Sequence, residues 1–213
     1  SSGIVSVPSR YLSPSGQFLE HAPFCERDLR VPNAPLRHDG NDVDVLVRSA
    51  GGATWHTHVN HPFDVEGWDG CLYPWVLNIS DFEPMVGSIH QPPPVHQTLE
   101  GQGFVVCSFV PRPFDFRPDA IKVPYHHSNV DSDEVLFYSQ GDFMSRKGSG
   151  IGLESISFHP SGFVHGPQPG SVEASMDASR TEETAVMIDT FRPLEMTAHA
   201  RAVSDPKYPS TWR

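Results

Sequence analysis

The sequence predicts an all-β protein, and two observations carry that expectation. Pro at 21 positions and Gly at 17 are spread through the 213 residues rather than clustered, which cuts the chain into short segments and leaves little room for long helices. Between these breaks, short runs of β-branched, aromatic and other apolar residues recur, each long enough for one strand.

In chain order, residues 1–15 are rich in Ser and Pro and read as extended. The first strand-like run covers 42–47, and the aromatic-rich stretch around it holds Trp55, Trp68, Tyr73 and Trp75. Further runs follow at 104–110, 134–138, 151–158 and 185–191. A soft boundary near residue 80 divides an irregular segment, 1–80, from the regular strand-and-turn units of 81–213, where the chemistry is concentrated. No internal repeat or low-complexity tract is present.

The length suits one substantial β-domain plus an attached segment, and 38% hydrophobic residues can fill its core. A balance of 15 Lys and Arg against 26 Asp and Glu gives a net charge of -11, which repels phosphate backbones and anionic lipid alike. Nucleic-acid and membrane roles are therefore not expected. The sequence lacks both the apolar run of a membrane span and the pattern of a signal peptide, so a cytoplasmic location is expected. Cys25, Cys71 and Cys107 form no CxxC pair, and buried thiols are expected for all three.

Twelve histidines stand out, because imidazole is the commonest ligand for transition metals. His127, then Asn129, Glu134 and Gly141 match the first cupin motif, His-x-His-x4-Glu-x6-Gly, except that Asn129 replaces its second histidine. Pro160 to His165 match the second, Pro-x-Gly-x-x-His. Ligands at the ends of different strands can point into a barrel and meet at one ion. Either motif alone is a weak signal. Both in order make His127, Glu134 and His165 candidate metal ligands, whereas a lone histidine would more often be an ordinary core or surface residue. The expected architecture is accordingly a cupin-like double-stranded β-helix barrel behind an irregular N-terminal segment.

These residues resemble homogentisate 1,2-dioxygenase in the run Pro124-Tyr125-His126-His127-Ser128-Asn129 leading to Glu134, and in Phe158-His159-Pro160 to His165-Gly166-Pro167. The resemblance extends from about Tyr11 through Pro62-Phe63-Asp64-Val65 with Gly67-Trp68, and closes on Asp189-Thr190-Phe191-Arg192-Pro193. Members of that family are about twice as long, so the resemblance implies a C-terminal, iron-binding half that follows an N-terminal cupin-like domain. It also implies a non-haem Fe(II) dioxygenase of aromatic amino-acid catabolism that cleaves the ring of homogentisate with O2 to give maleylacetoacetate. A trimer-based homo-oligomer and a possible separate chain for the first half follow from the same likeness.

Carried over residue by residue, the family's iron ligands fall on His127, Glu134 and His165, and its catalytic histidine falls on His90. His90 precedes three prolines that hold the loop extended, with His96 the nearby rival for the same role. His165 and His159 are candidate substrate contacts as well, although His159 could equally orient a ligand from behind or simply pack. Phe143 stands where the family has a substrate-contacting Tyr, and the step from His127 to Glu134 is one residue longer than in the family. The missing phenol opens another dihydroxylated aromatic acid as substrate, and a non-catalytic metal-binding cupin module is the rival from a different class. His126 would face the opposite side of a strand from His127, and His56, His58 and His61 read as part of an exposed strand or loop.

Overall fold

Along residues 133–140 the inward positions Glu134, Leu136 and Tyr138 are buried while Phe137 is exposed, the period of two that a strand with one covered face requires. The same alternation repeats in 184–190, where Ala185 and Met187 are buried. The structure, a computed structural model, describes residues 5–34, 40–49, 51–62 and 75–213. Its strands are β1 (Val5–Ser6), β2 (Leu29–Arg30), β3 (Asn41–Ser49), β4 (Gly52–Asn60), β5 (Val76–Leu77), β6 (Gln97–Gly101), β7 (Phe104–Phe109), β8 (Arg112–Pro113), β9 (Asp133–Gln140) and β10 (Ile156–His159). A five-residue helix α1 (Ser171–Ser175), strands β11 (Arg180–Thr181) and β12 (Thr184–Thr190), and a second five-residue helix α2 (Ala198–Ala202) complete them. Among the described residues no helix is long and apolar enough to cross a membrane.

Among the described residues six strands form one antiparallel sheet in the order β1-β6-β7-β12-β9-β10, and three further pairs join β8 with β11, β2 with β5 and β3 with β4. The last strand of the chain thus lies in the middle of the sheet, between β7 and β9. The fold is all-β and cupin-like, as the scattered Pro and Gly lead one to expect.

Register sorts the inward side chains into rows. Val105, Asp189, Glu134 and His159 align across β7, β12, β9 and β10. Cys107, Met187, Leu136 and Ser157 form the next row, and Phe109, Ala185 and Tyr138 the one after. The second and third rows, with Phe143, make the apolar core. The first row, at the start of β9, is polar, and it marks the end of the sheet where the candidate ligands gather. A second apolar cluster joins Tyr11 and Phe24 to Phe82 and Val110, so residues from the first part of the chain pack against those that follow residue 80.

Two expected elements differ in detail. The run at 151–158 is a strand only from Ile156, because Glu154 takes a positive φ of 61° and interrupts the pleat, and the backbone loops so that Glu154 N donates to Tyr138 O. The run at 42–47 lengthens into β3 and pairs with β4, the strand that carries His56 and His58 and whose nine residues are all exposed. Gly141, the last residue of the first motif, has φ of 90°, and a Cβ there would lie 1.8 Å from Glu182 O, so only glycine fits where the chain leaves β9.

Candidate metal centre

Glu134 is the first inward residue of β9 and is held by what surrounds the start of that strand. The buried Asp133 carboxylate accepts from Ser161 N at 2.8 Å and from Leu194 N at 2.7 Å, and Gly162 N donates to Asn129 O at 2.6 Å. These bonds pin the Pro160–Gly162 turn of the second motif onto the chain that leads from His127 into β9. The turn needs a left-handed residue, and Gly162 supplies it at φ of 77°. Three residues on, His165 pairs with His127 in an antiparallel bridge, each backbone N–H donating to the other's carbonyl at 2.8 Å. The two motifs are thereby stitched together at their candidate ligand residues.

One ligand atom each from His127, Glu134 and His165 lies within 4.8 Å of the others, and among the described residues no other group of three such side chains is so placed. His165 and Glu134 are buried and His127 is exposed, so the cluster has a closed back and an open front. Its hydrogen bonds fit a cation. His165 Nδ1 lies 2.8 Å from Phe163 O, and a carbonyl only accepts, so Nδ1 carries a proton and Nε2 is the nitrogen left to face the cluster. Among the described residues that buried Nε2 has no hydrogen-bond partner, and it lies 3.5 Å from Glu134 Oε2, so both atoms are turned toward one point. His127 Nδ1 is likewise 3.3 Å from Tyr125 O. Ligating histidines commonly donate their second ring N–H to a carbonyl in this way.

Burial pushes the Glu134 carboxyl up, but hydrogen bonding from His159 and the nearness of His165 outweigh it and hold the group well below the usual carboxylate range. Glu134 is therefore ionised. His159 Nδ1 lies 2.8 Å from Glu134 Oε1, and its ring stacks on that of His165 with centroids 4.4 Å apart and planes 4° apart. Burial brings His159 down to about 4 against the raising effect of Glu134, so its imidazole is neutral. Both its nitrogens are engaged, since Nε2 lies 2.8 Å from the Tyr208 hydroxyl. His159 stands behind Glu134 and has no ring nitrogen left over for a substrate.

The other candidates fall in different places. His90 is exposed in the loop that precedes the 3-10 turn Pro93–His96. His96 is fully buried against Phe109, and burial together with Arg112 brings it down to about 3 against a backbone hydrogen bond with Gln91. Phe109 belongs to the third row, four residues along the strand from the row of Glu134 and so about 13 Å away. Phe143 lies in the apolar core, edge-on to Tyr138 with centroids 5.1 Å apart. His126 is exposed and outside the cluster, and His56 and His58 sit on β4 with ring centroids 6.3 Å apart. Cys107 is buried as expected, but Cys25 is only half-buried, at a turn where its backbone N–H donates to the Asp28 carboxylate at 2.9 Å. Cys71 and the stretch from Phe63 to Trp68 lie outside the described residues.

Three residues of the site went unforeseen. Asp189 is opposite Glu134 in register, and its Oδ1 is buried without a partner among the described residues. The alternation of Ala185, Met187 and Asp189 was the signal that could have found it. Arg146 donates to Tyr138 Oη at 2.8 Å and to Gly166 O beneath the cluster. Tyr208 reaches His159 from 49 residues away, a pairing that no local pattern reveals.

Comparison with known proteins finds relatives in sequence, each covering part of a longer protein. No family model matches the chain. A protein of Saccharolobus solfataricus, provisionally named a dioxygenase, is 39% identical over 210 residues, which cover 98% of this chain and 54% of that protein. Homogentisate 1,2-dioxygenase of Pseudomonas syringae pv. tomato is 27% identical over 192 residues, covering 83% of this chain and 43% of the relative. The Emericella nidulans protein of the same name is 27% identical over 126 residues, 55% of this chain and 28% of its own length. The chain spans about half the length, or less, of the curated relatives it matches. It is related in sequence to proteins named as dioxygenases.

Proposed function

We propose that this chain is the iron-binding portion of a ring-cleaving dioxygenase whose substrate is homogentisate or a closely similar dihydroxylated aromatic acid. The observation that carries this reading is the donor set, in which the buried Nε2 of His165 and the ionised Glu134 face each other within 4.8 Å of His127 at the polar end of the sheet. Two neutral imidazoles and one carboxylate suit Fe(II) and leave positions open for a chelating substrate and O2, whereas a closed structural zinc site takes four protein ligands. The names of the relatives support the same reaction class.

When bound, the iron supplies a Lewis-acid centre and a redox partner for O2. The chain's own groups bind, orient and move protons around it. Glu134 brings the charge that offsets the cation, and His159 fixes that carboxylate from behind. The solvent side of the cluster is the His127 side, which is where a substrate enters. His90 is assigned as the acceptor of the ring-hydroxyl proton, whose removal enriches the ring in electrons before cleavage to maleylacetoacetate; an imidazole suits that transfer at neutral pH. Phe143, in the core, supplies no hydroxyl to a substrate, and this keeps other dihydroxylated acids in the reading.

The test is oxygen uptake by the Fe(II)-loaded chain with homogentisate and with gentisate, alongside Glu134→Ala and His90→Ala. Uptake with homogentisate, abolished in Glu134→Ala together with its iron and reduced in His90→Ala with iron retained, is the expected result. Gentisate as the preferred substrate would redirect the specificity. Iron bound without uptake on either acid would favour a non-catalytic binding module, and iron-loaded His90→Ala with normal turnover would remove His90 from its role.

A further inference from the structure

We infer that Tyr208 is a positioning residue of the metal centre, and that the segment 205–213 clasps Glu134 in its ligating orientation through the relay Tyr208 to His159 to Glu134. This rests on the reading of His127, Glu134 and His165 as metal ligands. The direction of each hydrogen bond follows from chemistry. An ionised carboxylate only accepts, so His159 Nδ1 donates to Glu134 Oε1 across 2.8 Å. In a neutral ring the other nitrogen is then an acceptor, so the Tyr208 hydroxyl donates to His159 Nε2 across its 2.8 Å. With burial raising that hydroxyl to about 12, it keeps its proton over the working range.

The segment is docked at more than this one point. Gln168 Nε2 donates to Thr211 Oγ1 at 3.1 Å, and Trp212 Nε1 donates to Gly166 O at 3.3 Å, so the clasp is fastened to the residues just after ligand His165. The Trp212 ring stands edge-on to those of His159, Phe163 and Tyr208. Glu134 Oε1 is thus tied to a group 74 residues farther along the chain, while Oε2 faces His165 and remains available to a cation. Fixing the carboxylate rotamer before the ion arrives removes an ordering cost from binding, and outer hydrogen bonds of this kind typically change metal affinity about tenfold or more.

The experiment measures Co(II) and Fe(II) dissociation constants by chelator competition, together with the visible Co(II) spectrum, on the whole chain, Tyr208→Phe, His159→Leu and the double variant. Tyr208→Phe keeps the ring against Trp212 and removes only the donor. It should weaken both metals about tenfold and alter the Co(II) bands, and its effect should vanish in the His159→Leu background because the relay is already broken. A parent chain that binds neither metal would refute the metal-centre reading itself, and this inference with it. A parent that binds metal while Tyr208→Phe leaves affinity and spectrum unchanged, or adds its full effect to that of His159→Leu, would overturn the relay alone.

Discussion

Asp189 on β12 stands directly opposite Glu134 on β9, so two carboxylates share the polar row of the sheet. Like groups in that relation destabilise a strand pair unless something lies between them. Asp189 Oδ1 is buried with no partner among the described residues, while Glu134 turns its own oxygens to His159 and His165. A divalent cation at the cluster would answer the surplus of negative charge.

Substituting Asp189 should stabilise the metal-free protein in a pH-dependent way. Burial, reinforced by Glu134 and opposed by His165, pushes its carboxyl from 3.8 up to about 6. Between those values the folded state binds more protons than the unfolded, so stability falls as pH rises through the window, and the loss is complete above it. Asp189 is partly open to water, so the effect is discounted to about 1–2 kcal/mol. Urea unfolding of metal-free Asp189→Asn should show that gain at pH 8 and none near pH 3.5. An equal gain at both pH values would mean that charge is not its cause.

Gly166→Ala should damage the cluster at His127. Gly166 has φ of 105°, and a Cβ there would lie 3.0 Å from His127 Nδ1 and 3.1 Å from its Cε1. The backbone strain costs about 1–3 kcal/mol, and the ring of His127 must shift. Metal affinity is expected to fall about tenfold or more, as read by chelator competition. Unchanged affinity would show that the ring yields without leaving the site.

Much of this centre was legible in the sequence, and the limits of that legibility are physical. Ligand spacing marked His127, Glu134 and His165 because the two motifs sit on segments that register itself joins, through the His127–His165 bridge. The strands around Glu134 and Ala185 were visible because one of their faces is buried and their composition shows it. The β4 strand was legible only as an exposed strand or loop around His56 and His58, since all nine residues are exposed and no face selects apolar side chains. Tyr208 and Asp133 act through single bonds to residues 28 to 61 positions away, and such pairings leave no periodic trace.

Cysteine labelling should separate Cys107 from Cys25. Burial raises the Cys107 thiol to about 12, and it faces the core beside Leu136 and Met187. The thiolate is the reactive form, so a folded protein at pH 8 should leave Cys107 unlabelled by a disulfide reagent, whereas the half-buried Cys25 reacts. Peptide mapping after a brief pulse distinguishes them, and prompt labelling of Cys107 without denaturant would contradict its placement in the core.

Asp133 should couple the stability of the fold to the metal centre. Each of its carboxylate oxygens accepts one backbone N–H, from Ser161 in the turn ahead of His165 and from Leu194 beyond β12. In Asp133→Ala both donors lose their acceptor, at about 1–3 kcal/mol for each that stays buried. The turn would also lose the bond that sets where His165 emerges, so metal affinity should fall together with stability. Asp133→Asn keeps one acceptor oxygen but turns an NH2 toward the other backbone donor, and it should lie between the parent and the alanine variant in both measurements. Chemical unfolding and chelator competition on the three proteins supply the comparison. If Asp133→Ala loses stability while binding metal as tightly as the parent, the position of His165 is set by its bridge to His127, and the Asp133 bonds serve the fold alone.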